Sequence, residues 1–171
     1  MKNIIKAAFL IAIPLLIGTT NLQGQNSKFG HINSNDLLAL MPDREKAAKE
    51  IENFSKELEN QLRIMSGEYE SKLQDYQSKE SLMTEPIKQT KLKEIMDLEQ
   101  RIREFQQTAQ ESLQKKENEL LTPIINKAKK AIDEVAKEKG YTYIFDSGVG
   151  VILYVEDKND ILPLVKNKLG L

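Results

Sequence analysis

The chain has 171 residues, with 25 Lys and Arg against 26 Asp and Glu, a formal net charge of -1, and neither Cys nor Trp. Without a basic excess there is nothing to displace counterions from phosphates, so nucleic acid is not an expected partner; without Cys there are no disulfides, thiolate zinc sites or cysteine nucleophiles. A single His argues against a zinc site or a His-based triad, and few aromatics among many charged residues point to long solvated helices rather than a thick core.

The first segment reads as an address. Lys2 and Lys6 precede an apolar run over 7–17, interrupted only by Pro14, and no acid occurs before Asp36. This is the layout of a secretory signal peptide over 1–24, with cleavage after Gly24. The run is too short for a comfortable membrane span, which needs about 20 residues. An uncleaved N-terminal anchor is the other reading, because Leu22 makes an imperfect cleavage site. Removal of Lys2 and Lys6 leaves 23 basic and 26 acidic residues, a mildly acidic mature chain. The expected location is an envelope compartment outside the cytoplasm.

Residues 28–33 read as a short strand, and Ser34 or Asn35 as the cap of a brief helix through Leu38 and Leu40. Residues 25–41 are thus the N-terminal part of a small β body. Pro42, with Asp43 and Glu45 behind it, suits the first turn of a long helix. Apolar residues then fall at Ala47, Ile51, Phe54, Leu58, Leu62, Met65, Tyr69, Leu73 and Tyr76, steps of three and four averaging close to 3.6. Ile51, Leu62 and Leu73 repeat at eleven residues, a period that gives a nearly straight or slightly right-handed coil.

The stripe fades over 78–86, and Thr84, Glu85 and Pro86 read as a helix restart. A second stripe follows: Ile95, Leu98, Ile102, Phe105, Ala109, Leu113, Leu120, Ile124, Ala128, Ala131 and Val135, with Gly140 as a left-handed stop. Two stripes with a short break predict an antiparallel helical hairpin, an arm over 42–139 with its tip near 78–86. Pro123 removes one backbone bond inside the second helix and predicts a bend there, with flexing of the arm as its functional reading.

After the arm, 141–145 alternates, with Tyr141, Tyr143 and Phe145 on one face. Residues 146–150 hold two glycines, and 151–155 (Val-Ile-Leu-Tyr-Val) is strongly β-prone. Together they predict a β-hairpin. Asp160 is placed to cap a final helix with Pro163 in its first turn and Leu162, Val165 and Leu169 on one side, so 140–171 completes the β body. So small a body needs disulfides, metal or oligomerisation. Only oligomerisation remains, with strands of several copies closing into a barrel that hides their edges. The fold class expected is α+β, mostly α. The residues expected to build the shared body are Phe29, Ile32, Tyr141, Tyr143, Phe145, Val151, Leu153 and Val155; alternation alone does not say which of them face the shared interior.

No enzymatic constellation is visible. His31 lacks a nucleophile partner and reads as a structural or surface residue. The carboxylates alternate with Lys at helix-surface spacing, as in Glu45 with Lys49 and Glu52 with Lys56. Gly148 and Gly150 lie in a turn and do not open a helix. No catalytic residue, metal or cofactor is expected.

The order of these elements, with LLTPI at 120–124 and AIDEVAKEKGY at 131–141, resembles the Skp/OmpH family of periplasmic chaperones over about 28–171. The resemblance implies a homotrimer with a β-barrel body and three helical arms around a cavity. It also implies ATP-independent holding of unfolded outer-membrane proteins in the periplasm. Some members carry markedly basic arm tips. Residues 78–93 here hold Lys79, Lys88, Lys91 and Lys93 against Glu80 and Glu85, a net of +2 only, which bears on peripheral contact with a membrane surface. The methionines Met65, Met83 and Met96, with Ile64, Leu82 and Leu92, which lie off the main stripes, are candidate client contacts. Each could equally thicken the seam inside the arm. A structural coiled-coil spacer or adaptor of the cell envelope is the rival reading; it predicts a folded partner and no holding activity.

Overall fold

A computed structural model describes residues 27–171. The signal peptide expected over 1–24 lies outside the described residues. In chain order the elements are β1 (Phe29–Ile32), α1 (Ser34–Leu40), α2 (Pro42–Lys79), α3 (Glu85–Lys139), β2 (Tyr143–Asp146) and α4 (Leu162–Leu169). Short 3-10 turns lie at Glu80–Leu82, Ser147–Val149 and Asp157–Asn159.

The helical hairpin follows the sequence closely. Pro42 sits in the first turn of α2, where its missing N–H costs nothing. The chain reverses through Glu80–Leu82, and α3 begins behind Thr84 with Pro86 in its first turn. Gly140 ends α3 at φ 69, a left-handed conformation that glycine adopts without a Cβ penalty. Its N–H and that of Tyr141 bond back to Lys137 and Ala136. Every residue of both stripes is buried or half-buried, so the seam is the one the periodicity describes. Ion pairs bridge the two helices at three levels: Lys72 with Glu94 (3.5 Å), Lys116 with Glu50 (2.5 Å) and Lys127 with Asp43 (3.0 Å). These pairs set the antiparallel register; being exposed, each adds only about 0–1 kcal/mol. The helix α3 continues through Pro123.

At 55 residues α3 outruns the 38 of α2. Its surplus enters the body, where Ile124, Ala128, Ala131 and Val135 meet Ile32, Leu37, Met41, Ala47, Ile161 and Val165 in one cluster. α4 lies on this part of α3, tied by Lys168 to Glu134 (3.2 Å) and Glu138 (2.5 Å). The long helix is therefore both the return limb of the arm and the floor of the body.

The sheet departs from expectation. β1 and β2 pair in parallel, with Phe29 opposite Tyr143, Gly30 opposite Ile144, His31 opposite Phe145 and Ile32 opposite Asp146. The 141–145 and 151–155 runs do not form a β-hairpin: 151–155 has no regular structure, and its root instead meets β1 through the isolated bridge of His31 to Asp160. A parallel pair requires a long crossover, and here the whole arm supplies it. Tyr141 also leaves the aromatic face assigned to it. It packs toward the core beside Gly30, with the Lys28 ammonium 4.1 Å above its ring. An ideal Cβ on Gly30 would meet Tyr141, Ile144 and Ile161 at 2.9–3.1 Å, so only glycine lets β1 lie this close.

Two caps shift by a residue. Asn33, not Ser34 or Asn35, caps α1, its side chain accepting from the N–H groups of Asn35 and Asp36. Ile161 holds the cap position of α4, while the Asp160 carboxylate accepts from Leu162 N–H at 2.8 Å. In both cases the short polar side chain satisfies donors that the first helical turn leaves free.

Candidate functional site

The two faces of the β1–β2 pair have opposite fates. Gly30, Ile32 and Ile144 turn inward. Phe29, Tyr143 and Phe145 turn outward and stack as a ladder, with centroid separations of 5.8, 6.1 and 6.4 Å. They remain 50%, 57% and 46% exposed. Beside them 151–155 projects further apolar surface: Val151 and Tyr154 are exposed, and Leu153 is 98% exposed. A contiguous apolar face of this kind on a small body marks an interaction surface. Of the eight residues expected to form a shared body, Phe29, Tyr143, Phe145, Val151 and Leu153 lie open on this side, and Val155 and Tyr141 are half-buried. Ile32 differs: it is fully buried in the chain's own core.

His31 shares the ladder face by alternation yet is only 8% exposed. The segment that follows 151–155 folds over it, and its Nε2 lies 3.0 Å from the Glu156 carbonyl oxygen. Of the structural and surface readings open for His31 from sequence, the structure shows the structural one, though its Glu156 partner was not foreseen. The alternation of β1 carries the only signal, since it puts an imidazole between two apolar inward positions.

A polar clamp fixes the edge of the ladder. Asp146 Oδ2 accepts from Ser34 Oγ at 2.5 Å, and Oδ1 accepts from the N–H groups of Gly148 at 2.8 Å and Ser34 at 3.2 Å. Asn35 Nδ2 closes the ring by donating to the Gly148 carbonyl at 3.1 Å. Burial alone would raise the Asp146 pKa, but the Ser34 hydroxyl and the two N–H groups outweigh it and hold the carboxyl below its ordinary value. A carboxyl depressed in the folded state contributes stability above its unfolded pKa, about 3.9, and that stability is lost as pH falls through the lower folded value. Asp146→Ala should therefore cost about 1–3 kcal/mol at neutral pH, because it strands partly buried donors. Denaturant unfolding at stepped pH should show the gap from wild type closing below about pH 4.

The arm offers a second surface. Ile64, Leu82, Leu92 and Met96 are exposed, while Met65 and Met83 are half-buried, Met65 on the α2 seam. The six candidate contacts thus divide into four open residues and two that also serve packing. Leu82 stands at the hairpin tip, and Leu92 and Met96 fall one turn apart on α3. Among the described residues no helix is long and apolar enough to cross a membrane.

A long helical hairpin rooted in a small mixed body, with one apolar face of that body open, defines the architecture of the chain. The family model of the OmpH-like outer membrane proteins matches residues 28–169, and the chain belongs to that family. The chaperone protein Skp of Photorhabdus laumondii is 26% identical over 167 residues, covering 97% of this chain and 98% of that protein. The chaperone protein Skp of Pectobacterium atrosepticum is 23% identical over 134 residues, covering 78% of this chain and 80% of its own. Among solved structures, an OmpH-like outer membrane chaperone of Caulobacter crescentus superposes with a TM-score of 0.72 at 10% identity, over 84% of this chain and 83% of that one. The last likeness speaks to fold. The family and the Skp relatives support a chaperone role.

Proposed function

We propose that the protein is an ATP-independent holdase of the periplasm that keeps unfolded outer-membrane proteins from aggregating. In this reading the cleaved 1–24 segment exports the chain. Copies then join as a homotrimer through the Phe29–Tyr143–Phe145 ladder and the 151–155 segment. Strands from neighbours close the body into a barrel, and three arms over 42–139 surround the client. No catalytic step or cofactor enters.

The observation that carries the reading is the open apolar face of the body. It exposes three stacked aromatics and a β-prone segment whose most prominent side chain, Leu153, has no cover among the described residues. Partners of the same kind would hide the free sheet edges and the ladder together. The arms present apolar side chains singly, among many charges. Such a surface suits weak, many-point contact with chains of varied sequence, because flexible Met and Leu side chains repack around each. Release then needs no nucleotide, only an acceptor that binds the client better. Contact of the arm tip with a membrane surface is secondary, since the tip carries a net of +2 only.

The test is light scattering from a denatured outer-membrane β-barrel protein diluted into buffer with the mature chain at stoichiometric ratio. Suppression of scattering is expected. The combined change of Ile64, Leu82, Leu92 and Met96 to Ser should lower client retention several-fold without altering helical content, since all four are exposed. A full-strength scattering signal in the presence of a well-folded protein would overturn the holdase reading and favour an envelope spacer.

A further inference from the structure

We propose that His31 is a pH-responsive pin that presents the 151–155 segment for assembly and lets it go in mild acid. The inference rests on the assembly reading above and names the residue that would regulate it.

The geometry is specific. His31 lies on the ladder face of β1, directly opposite Phe145. It lines a groove shared with Phe29, Phe145, Ile152, Tyr154 and Val155. Nε2 is 3.0 Å from the Glu156 carbonyl oxygen, which only accepts, so the proton resides on Nε2 and Nδ1 carries a lone pair. Nδ1 is buried and has no hydrogen-bond partner among the described residues. A neutral ring is thus the form that fits. A second proton on Nδ1 would add an N–H without an acceptor and a positive charge against aromatic and aliphatic walls.

The charged groups around the ring are already engaged. The Glu156 carboxylate pairs with Lys158 at 2.7 Å and accepts from Asn159. Asp160 accepts from Leu162 N–H. Lys28, at the start of the same strand, donates to the Lys139 carbonyl. Asp146 on β2 points to the opposite face and is held by Ser34 and Gly148. The protonated ring finds its best state by swinging the segment aside into water.

Release of that segment removes the surface that a neighbour needs. The His31–Glu156 bond ties down the root of 151–155, the stretch that carries Val151, Leu153 and Tyr154 outward. The chain has one His, the side-chain type that serves as a charge switch in mild acid. If the joined form accepts only the neutral ring, acid opposes assembly once for every copy joined.

The experiment is sedimentation of the mature wild-type chain and of His31→Gln at pH 7.5 and 5.5, over a range of protein concentrations. The expected result is assembled wild type at pH 7.5, association weakened at least several-fold at pH 5.5, and no such change in His31→Gln. The variant also controls for the α-amino group. Wild type that assembles equally at both pH values, or a variant with the same acid response, overturns the inference and leaves the assembly reading intact. A wild type monomeric at pH 7.5 overturns both. Should His31→Gln fail to fold, the ring C–H resonances of the sole His in wild type decide. Titration coincident with dissociation supports the pin, and titration within the intact assembly refutes it.

Discussion

If copies join through the 151–155 face as proposed, Leu153→Asp is expected to leave each chain folded and to prevent that joining. Leu153 touches almost nothing within its own chain, so the substitution removes no packing there. Any loss must therefore arise between copies. Covered by a neighbour, the new carboxylate would be desolvated without a partner, at a cost of several kcal/mol. An association constant lowered by 100-fold or more corresponds to about 3 kcal/mol. Sedimentation should show a single-chain species at concentrations where wild type is assembled, with unchanged far-ultraviolet circular dichroism. An oligomer of undiminished strength would mean that copies join elsewhere, and the barrel reading would fall with it.

Leu37→Ala should have the other large effect, on the fold itself. Leu37 has no exposed surface and lies in the body core, where α1 packs against α2 and α3. Truncation of such a residue costs about 2–5 kcal/mol, from lost transfer energy and the cavity left behind. The body has little reserve, since its core draws on a few residues from each of five short stretches. With Tyr69 and Tyr76 of the arm seam changed to Phe in both chains compared, the tyrosine near-ultraviolet circular dichroism reports on the body through Tyr141, Tyr143 and Tyr154, whereas the arm dominates the far-ultraviolet signal. The near-ultraviolet midpoint in urea should fall well below the far-ultraviolet one. Coincident midpoints would instead show that body and arm unfold as one unit. Exposed arm substitutions such as Ile64→Ala should move either midpoint by no more than about 0.5 kcal/mol equivalent.

The sequence was most legible where the physics is local. Pro42, Thr84, Pro86 and Gly140 act within a turn of the helix they start or stop, and the stripes from Ala47 to Tyr76 and from Ile95 to Val135 declare their own seam. The sheet was illegible for the opposite reason. β-propensity says that 141–145 and 151–155 suit extended backbone, but not which neighbour supplies the hydrogen bonds. A hairpin was the nearest partner in sequence; β1, more than a hundred residues away, is the partner in space. Run 151–155 has no ladder among the described residues. The buried state of His31 was likewise invisible, since it depends on where Glu156 comes to rest. Of the candidate contacts, spacing foretold that Ile64 stands off the seam, while the half-buried state of Met83 depends on the fold of the tip.

The parallel partnership of β1 with β2 also dictates an order of events. Its two strands bracket the entire arm, so the sheet cannot begin to form until the chain has been made through Tyr143–Asp146. Helices α2 and α3 can zip from their shared tip through contacts between near neighbours, a fast process, whereas the sheet must wait for loop closure across the full crossover. The arm should thus be a nascent scaffold that brings the chain's two ends to the same place. A chain stopped at Lys139 would keep its rods and never acquire a hub.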